Sequence, residues 1–194
     1  MDFIAELGKD PVVCDQWGGL PFTFEPERYM GNWYGQMHAK NQPFQSDHWT
    51  CAQASYTDLK DDGTFKVYNS GQGRFHGPRF GVHGDAKYPA DTIETFGQGQ
   101  MFVKFFFQKF YDSPNYQIID TDYDNYTIVY ACHEDDMQYL WLMTRVPIPE
   151  QSLIDQMKET AKAALPNFVW ENEIADSQDV SKCKYVKDSA EELY

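Results

Sequence analysis

Between Gly31 and Arg145 the chain alternates short runs rich in Val, Ile, Phe, Tyr and Thr with compact turn signals. The turns are Asp61-Asp62-Gly63, Gly71-Gln72-Gly73, Gly97-Gln98-Gly99, Ser113-Pro114-Asn115, Asp124-Asn125 and Glu134-Asp135-Asp136. Beta-branched and aromatic residues fit a pleated, half-buried surface, and Gly, Asn and Asp supply the turn conformations between such runs. The pattern predicts strands at 31–39, 50–58, 64–71, 75–88, 100–110, 115–122, 126–133 and 137–145. Eight sequential, turn-linked strands pair as antiparallel hairpins and close into an up-and-down barrel, which leaves no open edge. Gly77, Pro78, Gly81 and Gly84 imply bulges or a bend in the fourth strand. The period changes after Pro147 and Pro149. Leu153, Ile154, Met157, Ala161 and Ala164 recur at helical spacing, predicting one helix over 150–165 that Pro166 stops. Its apolar stripe must be buried on the barrel wall. The expected architecture is all-β: a single domain over 1–194, with a barrel at 31–145, a helix outside it, and arms at 1–30 and 166–194.

Strand side chains alternate between faces, so a few anchors assign the barrel interior. Trp33 inward carries Met37 inward. Cys51 outward, toward a tail, leaves Ala52, Ala54 and Tyr56 inward. Lys104 outward leaves Met101, Val103, Phe105 and Phe107 inward. Cys132 outward leaves Val129 and Ala131 inward, with His133 near a rim. A bulge would invert part of this set. The lining so defined is apolar and aromatic with one hydroxyl, which suits a hydrophobic ligand with few polar anchors. The competing expectation is that these side chains simply fill a barrel of eight strands.

The chain has 194 residues, 42% of them hydrophobic and 16% aromatic, enough for one ordinary core. A net charge of −14 argues against nucleic acid and against an anionic membrane surface, both of which need clustered Lys and Arg. No stretch approaches the roughly 20 apolar residues of a transmembrane helix. Residues 1–10 carry Asp2 and Glu6 and do not read as a signal peptide. Cys14, Cys51, Cys132 and Cys183 are widely spaced, without the Cys-x-x-Cys of a zinc or redox site. An even count suggests two disulfides, and the spacing leaves three connectivities open. His38, His48, His76, His83 and His133 show no paired-ligand spacing on a helix, so no metal site is expected. Asn125-Tyr126-Thr127 is an N-glycosylation sequon.

Three short motifs then stand in order. Gly31-Asn32-Trp33-Tyr34 opens the first strand, Thr121-Asp122-Tyr123 closes the sixth, and Arg145 ends the eighth. This set resembles the lipocalin family, with its Gly-x-Trp, Thr-Asp-Tyr and late Arg. Trp33 suits a flat plug at the narrow end. Arg145 would stack on it and donate to nearby carbonyls, and Asp122 would accept turn N–H groups. The four cysteines, together with Val67-Tyr68-Asn69-Ser70 and the stretch from Thr121 to Cys132, are similar to the group of apolipoprotein D, Lazarillo and the insect bilin-binding proteins. That resemblance implies the pairs Cys14–Cys132 and Cys51–Cys183, hence an oxidising compartment: secreted, or a mitochondrial intermembrane space.

The resemblance also implies carriage of a small hydrophobic ligand of the fatty acid, sterol or tetrapyrrole class, without turnover and with no required cofactor beyond a bound lipid or tetrapyrrole. Lipocalin-like enzymes would need a free barrel cysteine or cavity carboxylates, and the expected inward set has neither. A second expectation is a lipocalin-fold accessory subunit of a larger protein assembly. The arms beyond Cys14 and Cys183 would each be fixed at one point and ordered by partner chains.

Overall fold

The computed structural model describes residues 13–187, apart from 41, 43, 44, 107 and 134–136. Eight strands form the barrel: β1 Gly31–Ala39, β2 Thr50–Thr57, β3 Thr64–Gln72, β4 Arg79–Lys87, β5 Gln100–Phe105, β6 Tyr116–Thr121, β7 Tyr126–His133 and β8 Met137–Thr144. Each pairs antiparallel with the next, β8 pairs β1, and β1 pairs β2, so the sheet closes. A ninth strand, β9 Glu173–Ala175, lies along β1. Three α-helices, α1 Pro26–Tyr29, α2 Ala90–Phe96 and α3 Gln151–Ala164, and two 3-10 turns, Arg74–His76 and Trp170–Asn172, complete the described elements.

Several boundaries depart from the sequence reading. The fourth strand starts at Arg79 rather than at 75, because Arg74–His76 form a tight 3-10 turn in which Phe75 (φ 60°) and His76 (φ 57°) are left-handed. After β4 the chain turns into α2, where no helix was expected; the helix ends at Gly97, whose φ of 92° suits glycine. β5 stops at Phe105 instead of 110, because Phe106 turns left-handed (φ 54°) and leaves the ladder. The β5–β6 seam is short, and side chains complete it: Asn115 donates to the Val103 carbonyl at 2.7 Å and accepts from its N–H at 2.7 Å.

Two buried clusters result. The inner one holds Trp33, Tyr56, Val67, Met101, Val103, Phe105, Ile118, Val129 and Met143, together with Phe24 and Tyr29 from the segment that enters beneath the barrel. The outer one joins Ile128, Tyr130, Leu140 and Leu142 of the wall to Met157, Ala161 and Leu165 of the α3 region. That is the surface the helical stripe has to bury.

The upper part of the β1–β2 seam is occupied by the tail. β1 pairs β2 only from Gly31 to Tyr34, and beyond that the two strands part. β9 takes the place beside β1. The Gln178 side chain then donates to the carbonyls of Gly35 (2.7 Å) and Ala52 (2.9 Å), one on each parted strand. The Cys51–Cys183 disulfide fixes this wedge, and Cys14–Cys132 fixes the N-terminal arm.

Candidate functional site: the barrel interior

The closed end is built around Trp33, which has no solvent exposure. Its indole N–H donates to the Tyr29 carbonyl at 2.9 Å. The Arg145 guanidinium lies 3.6 Å from the centre of its ring. Arg145 also donates to the carbonyls of Tyr123 (2.8 Å), Asn32 (3.0 Å) and Arg28 (2.8 Å), tying the entering chain, β1 and the β6–β7 turn together. In that turn Asp122 accepts from the N–H groups of Asn125 (2.8 Å) and Tyr126 (3.0 Å). Partial burial pushes the Asp122 carboxyl up, but the Asn125 side-chain amide, donating at 2.7 Å, and these N–H groups together hold it below the usual range. Thr121 donates to the Tyr126 carbonyl, and Tyr123 adopts φ 67°. Gly31 (φ 93°) supplies the turn into β1.

Above this plug, Tyr29 stacks on Tyr56 at 5.5 Å. A chain of hydroxyls runs Thr127–Tyr29–Tyr116–Tyr56, with separations of 3.1, 2.9 and 2.8 Å. Four hydroxyls joined by three hydrogen bonds leave one proton free to donate elsewhere. Burial pushes the Tyr29 phenol up to about 12 and raises Tyr56 and Tyr116 well above the usual range. The chain is therefore neutral at ordinary pH.

The cavity lies over this floor. Gly35, Ala52, Ala54, Tyr56, Val67, Val103, Phe105, Tyr116 and Met143 line it. Asn69 and Ser70 add polar wall, and Gln45, Trp49 and Trp141 stand toward the mouth. Its free volume is about 50 Å³, and it opens at the mouth. An engineered cavity that admits benzene has roughly 150 Å³, so the barrel as it stands is narrow. No lining side chain carries a charge.

The residues expected to line the interior separate into four groups. Ala52, Ala54, Tyr56, Val103 and Phe105 face the cavity. Met101 and Val129 are buried deeper in the inner cluster, and Ala131 is buried without reaching the cavity. Phe107 lies outside the described residues. Met37 must be corrected: it packs in the outer cluster beneath α3. A bulge between Gly35 and Met37 shifts the β1–β8 register and reverses the alternation beyond it. Met37 therefore pairs with outward-facing Leu142, while His38 pairs with cavity-facing Trp141.

The same bulge buries a polar group, His38, that is not among the cavity-lining residues. His38 is fully buried, and its Nδ1 lies 3.0 Å from Oδ1 of Asp176. Asp176 follows β9, and its side chain is 1% exposed. Its Oδ2 lies 2.7 Å from where a Cβ on Gly35 would sit, so the carboxylate fills the space of a missing side chain at a cavity-lining position. Asp176 arrives from the tail, which strand alternation does not reach, and it is buried beside the cavity without being one of its lining residues. Gln45 donates to Asp176 Oδ1 at 3.1 Å and accepts from the Trp141 indole at 3.2 Å. His76 lies beside Cys51 and Cys183, but sulfurs joined in a disulfide are not metal ligands.

Residues 24–166 match the family model described as a lipocalin-like domain. The chain belongs to the lipocalin family. Apolipoprotein D of Macaca fascicularis is 32% identical over 127 residues, 63% of this lipocalin and 61% of that protein. The bovine (Bos taurus) apolipoprotein D is 29% identical over 141 residues, covering 71% and 69%. Among solved structures, insecticyanin from the tobacco hornworm, Manduca sexta, superposes with a TM-score of 0.61 at 21% identity, over 90% of this lipocalin and 95% of that chain. At that identity the likeness speaks for the fold. The match spans about three fifths of the macaque relative's length.

Proposed function

We propose that this lipocalin reversibly holds a small, largely apolar molecule in the upper half of its barrel and does not transform it. The observation that carries the reading is the cavity between the Trp33–Arg145 plug and the mouth, walled by Ala52, Ala54, Val67, Val103 and Phe105 over the Tyr56 and Tyr116 hydroxyls. Apolar burial at about 25 cal/mol per Å² would supply most of the affinity, with the hydroxyls orienting one polar atom. His38 Nε2 has no hydrogen-bond partner among the described residues, so no serine or threonine hydroxyl is held against it for activation. Two disulfides favour an oxidising compartment, secretion included.

Trp49 and Trp141 line the cavity, so quenching of tryptophan fluorescence reports its filling. Titration with oleic acid, the fluorescent sterol dehydroergosterol and biliverdin should show saturable binding of at least one. Flat titrations with all three would reject the carrier reading. One observation favours the accessory-subunit reading: Phe75 (92% exposed), Phe106 (66%) and Phe80 (46%) stand on strand ends and turns at the open end. Sedimentation of the purified protein with and without a candidate partner separates the two readings.

A further inference from the structure

The barrel interior makes no use of the triplet Asn125-Tyr126-Thr127. No other asparagine of the chain stands two residues before a Ser or Thr. Asn125 ends the β6–β7 turn and is exposed, as is Asp124 before it. Its side chain is already oriented: Nδ2 donates to Asp122 Oδ2 at 2.7 Å, and the backbone N–H donates to Asp122 Oδ1 at 2.8 Å. A primary amide has two N–H groups, and the bond to Asp122 uses one of them. A sugar on Nδ2 replaces the other, so a glycosylated Asn125 keeps its partner and its place in the turn.

The turn belongs to the closed end of the barrel. The Asn125 carbonyl accepts from the N–H of Arg145, whose guanidinium covers Trp33. Gln45, Trp49 and Trp141 stand toward the mouth at the other end. A bulky, hydrated chain on Asn125 therefore leaves the mouth clear.

The third residue of the triplet behaves differently. Thr127 has no solvent exposure. It pairs with Thr121 of β6 on one side and Met143 of β8 on the other, and its hydroxyl lies 3.1 Å from that of Tyr29. The acceptor is recognised as a triplet, so the Thr127 hydroxyl has to be accessible when the sugar arrives. In the folded barrel it is not. The triplet is open to an enzyme only before β7 pairs with its neighbours.

We infer that Asn125 is a site of N-linked glycosylation, modified before the β6–β7 hairpin closes. The donor is a lipid-linked oligosaccharide pyrophosphate. The bond from Asn125 Nδ2 to the anomeric carbon forms, the bond from that carbon to the pyrophosphate oxygen breaks, the lipid pyrophosphate leaves, and the amide proton passes to solvent. Nothing is oxidised or reduced. The inference requires passage through the secretory lumen, an oxidising compartment of the kind that two disulfides favour. It holds whether or not the barrel carries a ligand.

The test secretes the full chain from mammalian cells behind a cleavable leader. The purified protein is denatured and treated with peptide N-glycosidase in heavy-oxygen water, which turns a glycosylated asparagine into labelled aspartate. The intact mass should fall by one glycan, and the label should appear at position 125. An unchanged mass with unlabelled Asn125 overturns the inference. Asn125→Gln should be secreted without the glycan; if that variant does not fold, the label on the parent protein still decides. The timing is tested on unglycosylated chain from a bacterial periplasm, offered to an oligosaccharyl transferase with its lipid-linked donor. The reduced, unfolded chain should be modified at least about tenfold faster than the disulfide-intact protein, whose Thr127 is exposed only by local opening. Equal rates overturn modification before closure.

Discussion

Replacing Arg145 by Met keeps a long apolar stem over Trp33 and removes every donor. Three hydrogen bonds to backbone carbonyls disappear, to Tyr123, Asn32 and Arg28, together with the 3.6 Å contact on the indole. A hydrogen bond to a charged group contributes about 1.5–3 kcal/mol, and a desolvated cation–π contact about 2 kcal/mol. The simple sum overshoots, because the Arg28 carbonyl is at the surface and regains water when the guanidinium leaves. Methionine also retains the packing on the ring. A net loss of about 3 kcal/mol is expected. With a urea dependence of about 2 kcal/mol per M, the unfolding midpoint should fall by about 1.5 M. Equilibrium unfolding under oxidising conditions, followed by tryptophan fluorescence, measures it. The emission of the folded variant should also shift to the red, since Trp33 is the fully buried indole beneath the lost group. A midpoint within about 0.3 M of the parent, with unchanged emission, would show that Arg145 does not hold the base of the barrel closed.

Removing the Cys51–Cys183 bridge as Cys51→Ala/Cys183→Ala opens a loop of 132 residues, which costs about 5 kcal/mol in chain-entropy terms. Hydrogen exchange should rise first over 173–186, and uniform exchange changes would contradict the wedge role of the tail. Gly35→Ala sets a Cβ 2.7 Å from Asp176 Oδ2 and 3.0 Å from the Ala52 Cβ, so it should destabilise by about 1–3 kcal/mol. A neutral melt would mean that the carboxylate is not seated there. Alkaline stability follows from the tyrosines. Tyr29 titrates near 12 in the fold and near 10 unfolded, so above pH 10 the unfolded state binds fewer protons. The stabilisation is complete below pH 10 and is lost as pH rises toward 12. Phenolate absorbance should appear together with unfolding, and Tyr29 ionising near pH 10 in the folded protein would refute the buried hydroxyl chain.

The sequence by itself determined the barrel, the outer helix and the plug. Period-two runs between turn residues admit few arrangements other than hairpins, and eight of them in series close on themselves. The stripe from Leu153 to Ala164 needed a wall, and Leu140 and Leu142 provide it. Asp122 was legible because it works within its own turn, whereas Trp33 and Arg145, 112 residues apart, were legible as members of an ordered motif set that resembles the lipocalins. Tertiary structure alone decided the upper cavity. One bulged residue after Gly35 turned Met37 out and His38 in, and a bulge depends on how β1 meets β8 rather than on its own residues. Asp176 lies 138 residues from His38, in a tail whose polar composition gave no periodic signal. It is buried against Gly35 because β1 and β2 part above Tyr34 and leave a seam for β9 to fill. Alternation along a strand is a local property, and it carries no information about a segment that wedges between two strands from elsewhere in the chain.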